Sequence, residues 1–116
     1  PLPDAYKDES DIGAVCAYLE EHFAEPVSLD QLGEVAGLSK YYLLRSFTKQ
    51  KGISPYRYLE TIRIAKARKL LERNVPMIEV ALQTGFADQS HFSRFFKRLI
   101  GVTPRQYAEI FGGRQA

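Results

Sequence analysis

Apolar residues recur at three- and four-residue spacing along nearly the whole chain, and turn residues interrupt them at regular places. Ile12, Val15, Cys16, Leu19 and Phe23 form one stripe and predict a helix from Asp11 to Phe23. Pro26 breaks it. Ser28 followed by Gln31 makes a capping-box start for a short helix with Leu29 and Leu32 inward, ending near Gly37. Ser39 caps the next, which turns Leu43 and Phe47 inward and stops before Gly52. Ser54 and Pro55 open a long helix running to about Arg73, with Ile64, Ala67, Leu70 and Leu71 inward. Pro76 begins a short helix ending near Gly85. Asp88 caps a sixth with Phe92, Phe96 and Leu99 toward a core, and Thr103 and Pro104 begin a seventh that ends at Gly112. No segment alternates with period two, so the expected fold is all-α with seven helices.

The pattern repeats. Phe47, Gly52, Ser54, Pro55 and Tyr58 return as Phe96, Gly101, Thr103, Pro104 and Tyr107, each 49 residues on. Ser39, Leu43, Arg45 and Glu60 return at the same shift as Asp88, Phe92, Arg94 and Glu109. Upstream the shift is 48, with Val27, Leu29, Leu32 and Gly37 matching Val75, Met77, Val80 and Gly85. The second copy therefore has one more residue in its turn. The expected organisation is a linker end at 1–10, a first helix-turn-helix subdomain at 11–53, a linker helix at 54–73, a second subdomain at 74–112 and a tail at 113–116.

In each copy a short helix carries a small residue, Gly33 or Ala81, where a second helix must pass close by. A turn of a few residues follows, and then a helix with one buried and one free face. The free face in the first copy is Lys40, Tyr41, Leu44, Arg45 and Thr48. Ser90, Ser93, Arg94 and Lys97 stand at the positions matching its last four. Two like scaffolds with different outward side chains are suited to reading two different short sequences in the major groove.

Charge supports a polyanionic partner. The net charge of +2 divides into −8 over residues 1–38 and +10 over residues 39–116. The apolar share of 45% suits a globular chain. No apolar run approaches the roughly 18 residues of a membrane span, so no membrane association is expected. The single cysteine, Cys16, cannot form an internal disulfide and fits a reducing cytoplasm. Two histidines far apart, no metal-ligand spacing, no phosphate loop and no nucleophile motif argue against an enzyme, a metal site or a cofactor. The chain starts with Pro1 rather than Met, and is expected to be a piece of a longer protein.

The segments LDQLGEVAGLSKYYLLRSFTKQKGISPYRYL, IRIAKARKLL and VALQTGFADQSHFSRFFKRLIGVTPRQY resemble the C-terminal DNA-binding domain of the AraC/XylS family of bacterial transcription regulators. The match runs from about Ile12 to Tyr107, and its second-unit motif is far more specific than a lone helix-turn-helix. The resemblance implies seven helices in two homeodomain-like helix-turn-helix subdomains joined by a long helix. It also implies binding to double-stranded promoter DNA, recruitment of RNA polymerase, transcriptional activation, and an effector-binding and dimerisation region N-terminal to this stretch. By position, Tyr41, Leu44 and Arg45 would face bases from the first unit, and Gln89, Ser90, Ser93 and Arg94, with His91 beside them, from the second. Arginine can pair with guanine through two hydrogen bonds, and glutamine with adenine. Leu44 departs from the polar residue often found there: it can touch a thymine methyl but makes no hydrogen bond, which leaves more of that unit's reading to DNA shape.

Lys40, Ser54, Arg57, Lys97, Thr103 and Arg105 are expected at phosphates. The plainer reading of Arg45 and Arg94 is solvated surface charge. Their repeated placement together with the family pattern favours DNA. The alternative function is a helical protein-interaction module without sequence-specific DNA reading, which would not need ten net positive charges after residue 38. A linker helix of about 19 residues spans roughly 28 Å, against about 34 Å between successive major-groove windows on one face of DNA. Two recognition helices could thus enter adjacent grooves.

Overall fold

Seven helices and no strand occur among the residues described by the computed structural model, which are residues 2–113, with side chains described from residue 12. They are α1 (Leu2–Glu21), α2 (Leu29–Ala36), α3 (Lys40–Lys51), α4 (Pro55–Glu72), α5 (Met77–Gln83), α6 (Gln89–Ile100) and α7 (Pro104–Phe111). The first helix begins at Leu2 and so takes in most of the linker end expected at 1–10, whereas Pro1 and all of the expected tail but Gly113 lie outside the described residues.

Five helices, α2, α3, α4, α6 and α7, start at caps that side chains make, whereas α5 follows Pro76 without one. Ser28 accepts from the Gln31 amide while Gln31 Oε1 accepts from the Ser28 amide, closing a capping box at 3.1 and 2.8 Å. Thr103 and Gln106 repeat it on α7 at 3.1 and 2.9 Å. Ser39 caps α3 through the Tyr42 amide, and Asp88 caps α6 through the His91 amide at 2.7 Å. A carboxylate at an N-terminus also meets the positive end of the helix dipole. Such caps contribute about 1 kcal/mol each.

The chain divides into two compact units, residues 1–62 and 63–116. In unit 1 the fully buried Ile12, Val15 and Leu19 of α1 pack with Leu32 and Ala36 of α2, Leu43 and Phe47 of α3, and Leu59 and Ile62 of α4. In unit 2, Ile64, Ala67 and Leu71 of α4 pack with Val80 and Ala81 of α5, Phe86, Phe92, Phe95 and Phe96 around α6, and Tyr107 of α7. The helix expected as a linker thus contributes its first residues to one core and its last to the other.

That division extends the repeat. Ile12, Val15, Leu19, Cys16 and Glu20 correspond to Ile64, Ala67, Leu71, Arg68 and Glu72 at a shift of 52. The roles match as well as the positions. Tyr58 and Tyr107 are equivalents 49 apart. A hydrogen bond with Cys16, followed by burial, pushes the Tyr58 hydroxyl up to about 12. In unit 2, Tyr107 donates to Glu72 Oε2 at 2.5 Å and accepts from Arg68 Nε at 3.2 Å. The Tyr107 hydrogen bond in turn raises the Arg68 guanidinium further above its usual range. Each unit therefore pins its last helix to its first through one tyrosine.

The stripe on α6 differs from the expected one. Phe95 is buried at 7% exposure, whereas Leu99 is 40% exposed. The inward set is 92, 95 and 96, and residue 99 has rotated off its edge. On α3 the position equivalent to Phe95 is Ser46, which is also buried.

Candidate nucleic-acid interface

The α2–α3 and α5–α6 turns have the same hydrogen bonding. In the first, Gly37 has φ 72°, its amide donates to the Glu34 carbonyl, and the Leu38 amide donates to the Gly33 carbonyl at 2.9 Å. In the second, Gly85 has φ 85°, its amide donates to the Leu82 carbonyl, and the Phe86 amide donates to the Ala81 carbonyl at 3.2 Å. This is a left-handed helix stop, in which an L side chain at the glycine would be strained. The carbonyl that closes the first turn also explains Gly33: a Cβ there would meet the Leu38 carbonyl oxygen at 2.6 Å. The close approach is to the turn itself, not only to the passing helix. Ala87 is the additional residue of the second turn and changes the shift from 48 to 49.

These turns deliver α3 and α6, each of 12 residues, with their inner faces buried and their outer faces open. The two helices carry four and three basic residues, respectively, and no acidic one. Lys40, Tyr41, Leu44, Arg45 and Thr48 are all exposed on α3. On α6, Gln89, Ser90, Arg94 and Lys97 are exposed and Ser93 is half-buried. Arg45 and Arg94 have no hydrogen-bond or ion-pair partner among the described residues. The structure thus brings each set of expected base-reading side chains onto one open face of its helix. His91 is less available: its ring is half-buried between Phe86 at 5.6 Å and Phe95 at 6.2 Å.

Of the residues expected at phosphates, Lys40, Arg57, Lys97 and Arg105 are exposed. Ser54 and Thr103 are half-buried, and their hydroxyls accept from the Arg57 and Gln106 amides at 3.2 and 3.1 Å. The Thr103 amide is itself taken by Gln106. The N-terminus of α7 therefore has fewer open N–H groups than its sequence suggests, and the exposed arginine side chains are better placed for an anion.

What the sequence reading missed is the support beneath these helices, namely Phe95 and the Arg68–Tyr107–Glu72 group. For the Arg68–Tyr107–Glu72 group the signal lies in the 52-residue correspondence of α1 with the second part of α4. Among the described residues there is no group of three or more His, Cys, Asp or Glu side chains able to hold a metal ion. No helix among them is long and apolar enough to cross a membrane.

Comparison with known proteins agrees with this geometry. The family described as "Helix-turn-helix domain" matches residues 32–110. The HTH-type transcriptional regulator YbfI of Bacillus subtilis is 60% identical over 90 residues, covering 78% of this chain and 33% of its own length. The HTH-type transcriptional activator RhaS of Escherichia fergusonii is 42% identical over 101 residues, covering 86% of this chain and 35% of its own length. The chain thus spans about a third of the length of these relatives. Among solved structures, the C-terminal domain of AraT, a response regulator from Geobacillus stearothermophilus, superimposes with a TM-score of 0.85 at 31% identity, covering 90% and 88% of the two chains. The DNA-binding domain of the global transcriptional factor AdpA, solved in complex with a target DNA, gives 0.81 at 29% identity, covering 86% and 91%. With two equivalent helix-turn-helix units and these relatives, the chain belongs to the AraC-type helix-turn-helix family of transcription regulators.

Proposed function

We propose that this chain is the DNA-reading part of a bacterial transcription activator, binding double-stranded promoter DNA with α3 and α6 in adjacent major grooves. The observation that carries this reading is the placement of Arg45 and Arg94. They stand at equivalent positions of two capped helices, exposed and without a partner among the described residues, on surfaces holding basic but no acidic side chains. Tyr41, Leu44 and Arg45 read bases from unit 1, and Gln89, Ser90, Ser93 and Arg94 from unit 2. Lys40, Arg57, Lys97 and Arg105 hold the backbone, with Ser54 and Thr103 shaping the helix ends beside them. The name of RhaS as an activator and the DNA complex of the AdpA domain support the same reading.

The activity is binding, with no chemical step and no cofactor. RNA polymerase is the partner through which activation acts. The effector-binding and dimerisation region belongs to the remainder of the protein, and the site of action is the bacterial cytoplasm, at the nucleoid.

The phosphate assignment is tested by Arg105→Ala, titrated against specific and random duplexes at several salt concentrations. Affinity should fall on both alike, and the slope of log K against log salt should shrink by about one. A changed base preference at unchanged slope would make Arg105 a base contact instead.

A further inference from the structure

We infer that the half-site read by unit 1 is specified by thymine C5-methyl groups contacted by Leu44 and Tyr41, whereas the half-site read by unit 2 is specified by hydrogen bonds. This inference rests on the reading of α3 and α6 as groove-entering helices and adds what each of them recognises. The repeat permits a position-by-position comparison. Lys40, Tyr41, Leu44 and Arg45 stand where unit 2 has Gln89, Ser90, Ser93 and Arg94. Every member of the second set can donate or accept a hydrogen bond through a short polar group or a guanidinium. In the first set Leu44 has no such group, and Tyr41 carries its one hydroxyl at the tip of an otherwise apolar ring.

These two side chains are not serving the core. The inward face of α3 is Leu43, Ser46 and Phe47, all buried, while Tyr41 is 73% and Leu44 36% exposed. They lie three residues apart on a helix and so share one face. The Lys40 ammonium lies 5.7 Å from the Tyr41 ring centre, which places a cation beside this apolar patch. Such a surface can dock on DNA through the lysine while presenting apolar atoms to the groove floor.

The groove floor has one apolar group to meet them. Guanine and adenine show donors and acceptors at the major-groove edge, cytosine adds only a C5–H, and thymine alone adds a methyl. Leucine pressed against any other base edge would leave a polar group without water or partner, which is unfavourable. Leu44 therefore selects thymine both by contact and by exclusion. Arg45, one residue on, supplies the hydrogen-bonding contact of the same half-site. The two half-sites differ in chemistry, so the chain would sit on its operator in one orientation.

The test uses the duplex that this chain itself selects from random DNA. Each thymine is replaced in turn by deoxyuridine, which removes the C5-methyl and leaves every hydrogen-bonding group in place. Arg45→Ala identifies the half bound by unit 1, because its loss of base preference falls there. In that half, one or two deoxyuridine substitutions should weaken binding by about four-fold each, the value for one buried methyl group. In the other half they should have no effect. Leu44→Gln should erase the effect at one of those positions and change the base preferred there. Retained helicity by circular dichroism is expected, since the side chain is exposed. A unit 1 half-site without thymine, deoxyuridine tolerated throughout it, or an unchanged deoxyuridine effect in Leu44→Gln would overturn the inference and leave the DNA-binding reading standing. Failure to select any sequence would overturn both.

Discussion

Phe96→Ala is expected to lower the stability of unit 2 by about 3–5 kcal/mol, the range for emptying a fully buried aromatic site. Phe96 has no exposed surface and packs edge-on against Phe92 at 5.7 Å and Tyr107 at 5.5 Å between ring centres. Both neighbours are rigid rings, so the cavity can collapse only if α6 or α7 shifts. Because a folded domain is stable by only about 5–15 kcal/mol, the loss would be a large part of the total. Urea unfolding followed by circular dichroism measures it. Specific DNA binding should fall with it, since α6 would lose its seating. A destabilisation below about 1 kcal/mol would mean that Phe96 is not the core residue described here.

Arg94→Ala is expected to do the reverse, leaving the fold intact and damaging recognition. The side chain is exposed, and among the described residues it has no partner whose loss could destabilise the chain. Exposed substitutions of this kind change stability by less than about 0.5 kcal/mol. A guanidinium paired with guanine O6 and N7 is worth about 1–3 kcal/mol of discrimination. Binding to the selected site should therefore weaken by roughly five- to 150-fold, and one base position should lose its preference. Competition between the selected duplex and variants at each position checks this. Equal weakening on every sequence would make Arg94 a phosphate contact.

Much of this architecture can be read from the residues because caps and turns announce themselves. Ser28, Ser39, Ser54, Asp88 and Thr103 all cap the helices they were expected to cap. Helix boundaries depend on interactions three or four residues apart, and such local interactions leave a local signature. Packing is less legible. Periodicity gives the direction of a stripe but not its width, so Leu99 looked inward and Phe95 did not, although only the latter is buried. The kinship of α1 with the second part of α4 is hidden for a related reason. Val15 has become Ala67 and Cys16 has become Arg68, and the shift differs from that of the helices that follow. What persists is the face, not the residue type.

The candidate site was legible in position and less so in availability. Counting along a helix from Leu43 and Phe47, or from Phe92 and Phe96, identifies the opposite face, and the side chains found there are exposed in both units except the half-buried Ser93. The capping box at Thr103 removes backbone groups that the sequence alone leaves free for phosphate. His91 is likewise drawn in by Phe86, five residues before it, and Phe95, one helical turn after it.

The most direct test of the central claim is selection of bound sequences from random duplex DNA with the intact 116-residue chain. Two reading helices of different chemistry predict a bipartite, non-palindromic motif whose halves are centred about one helical turn apart. Substitution at Arg45 should erode one half, and substitution at Arg94 the other. Absence of enrichment, or a single uninterrupted motif affected alike by both substitutions, would contradict the account.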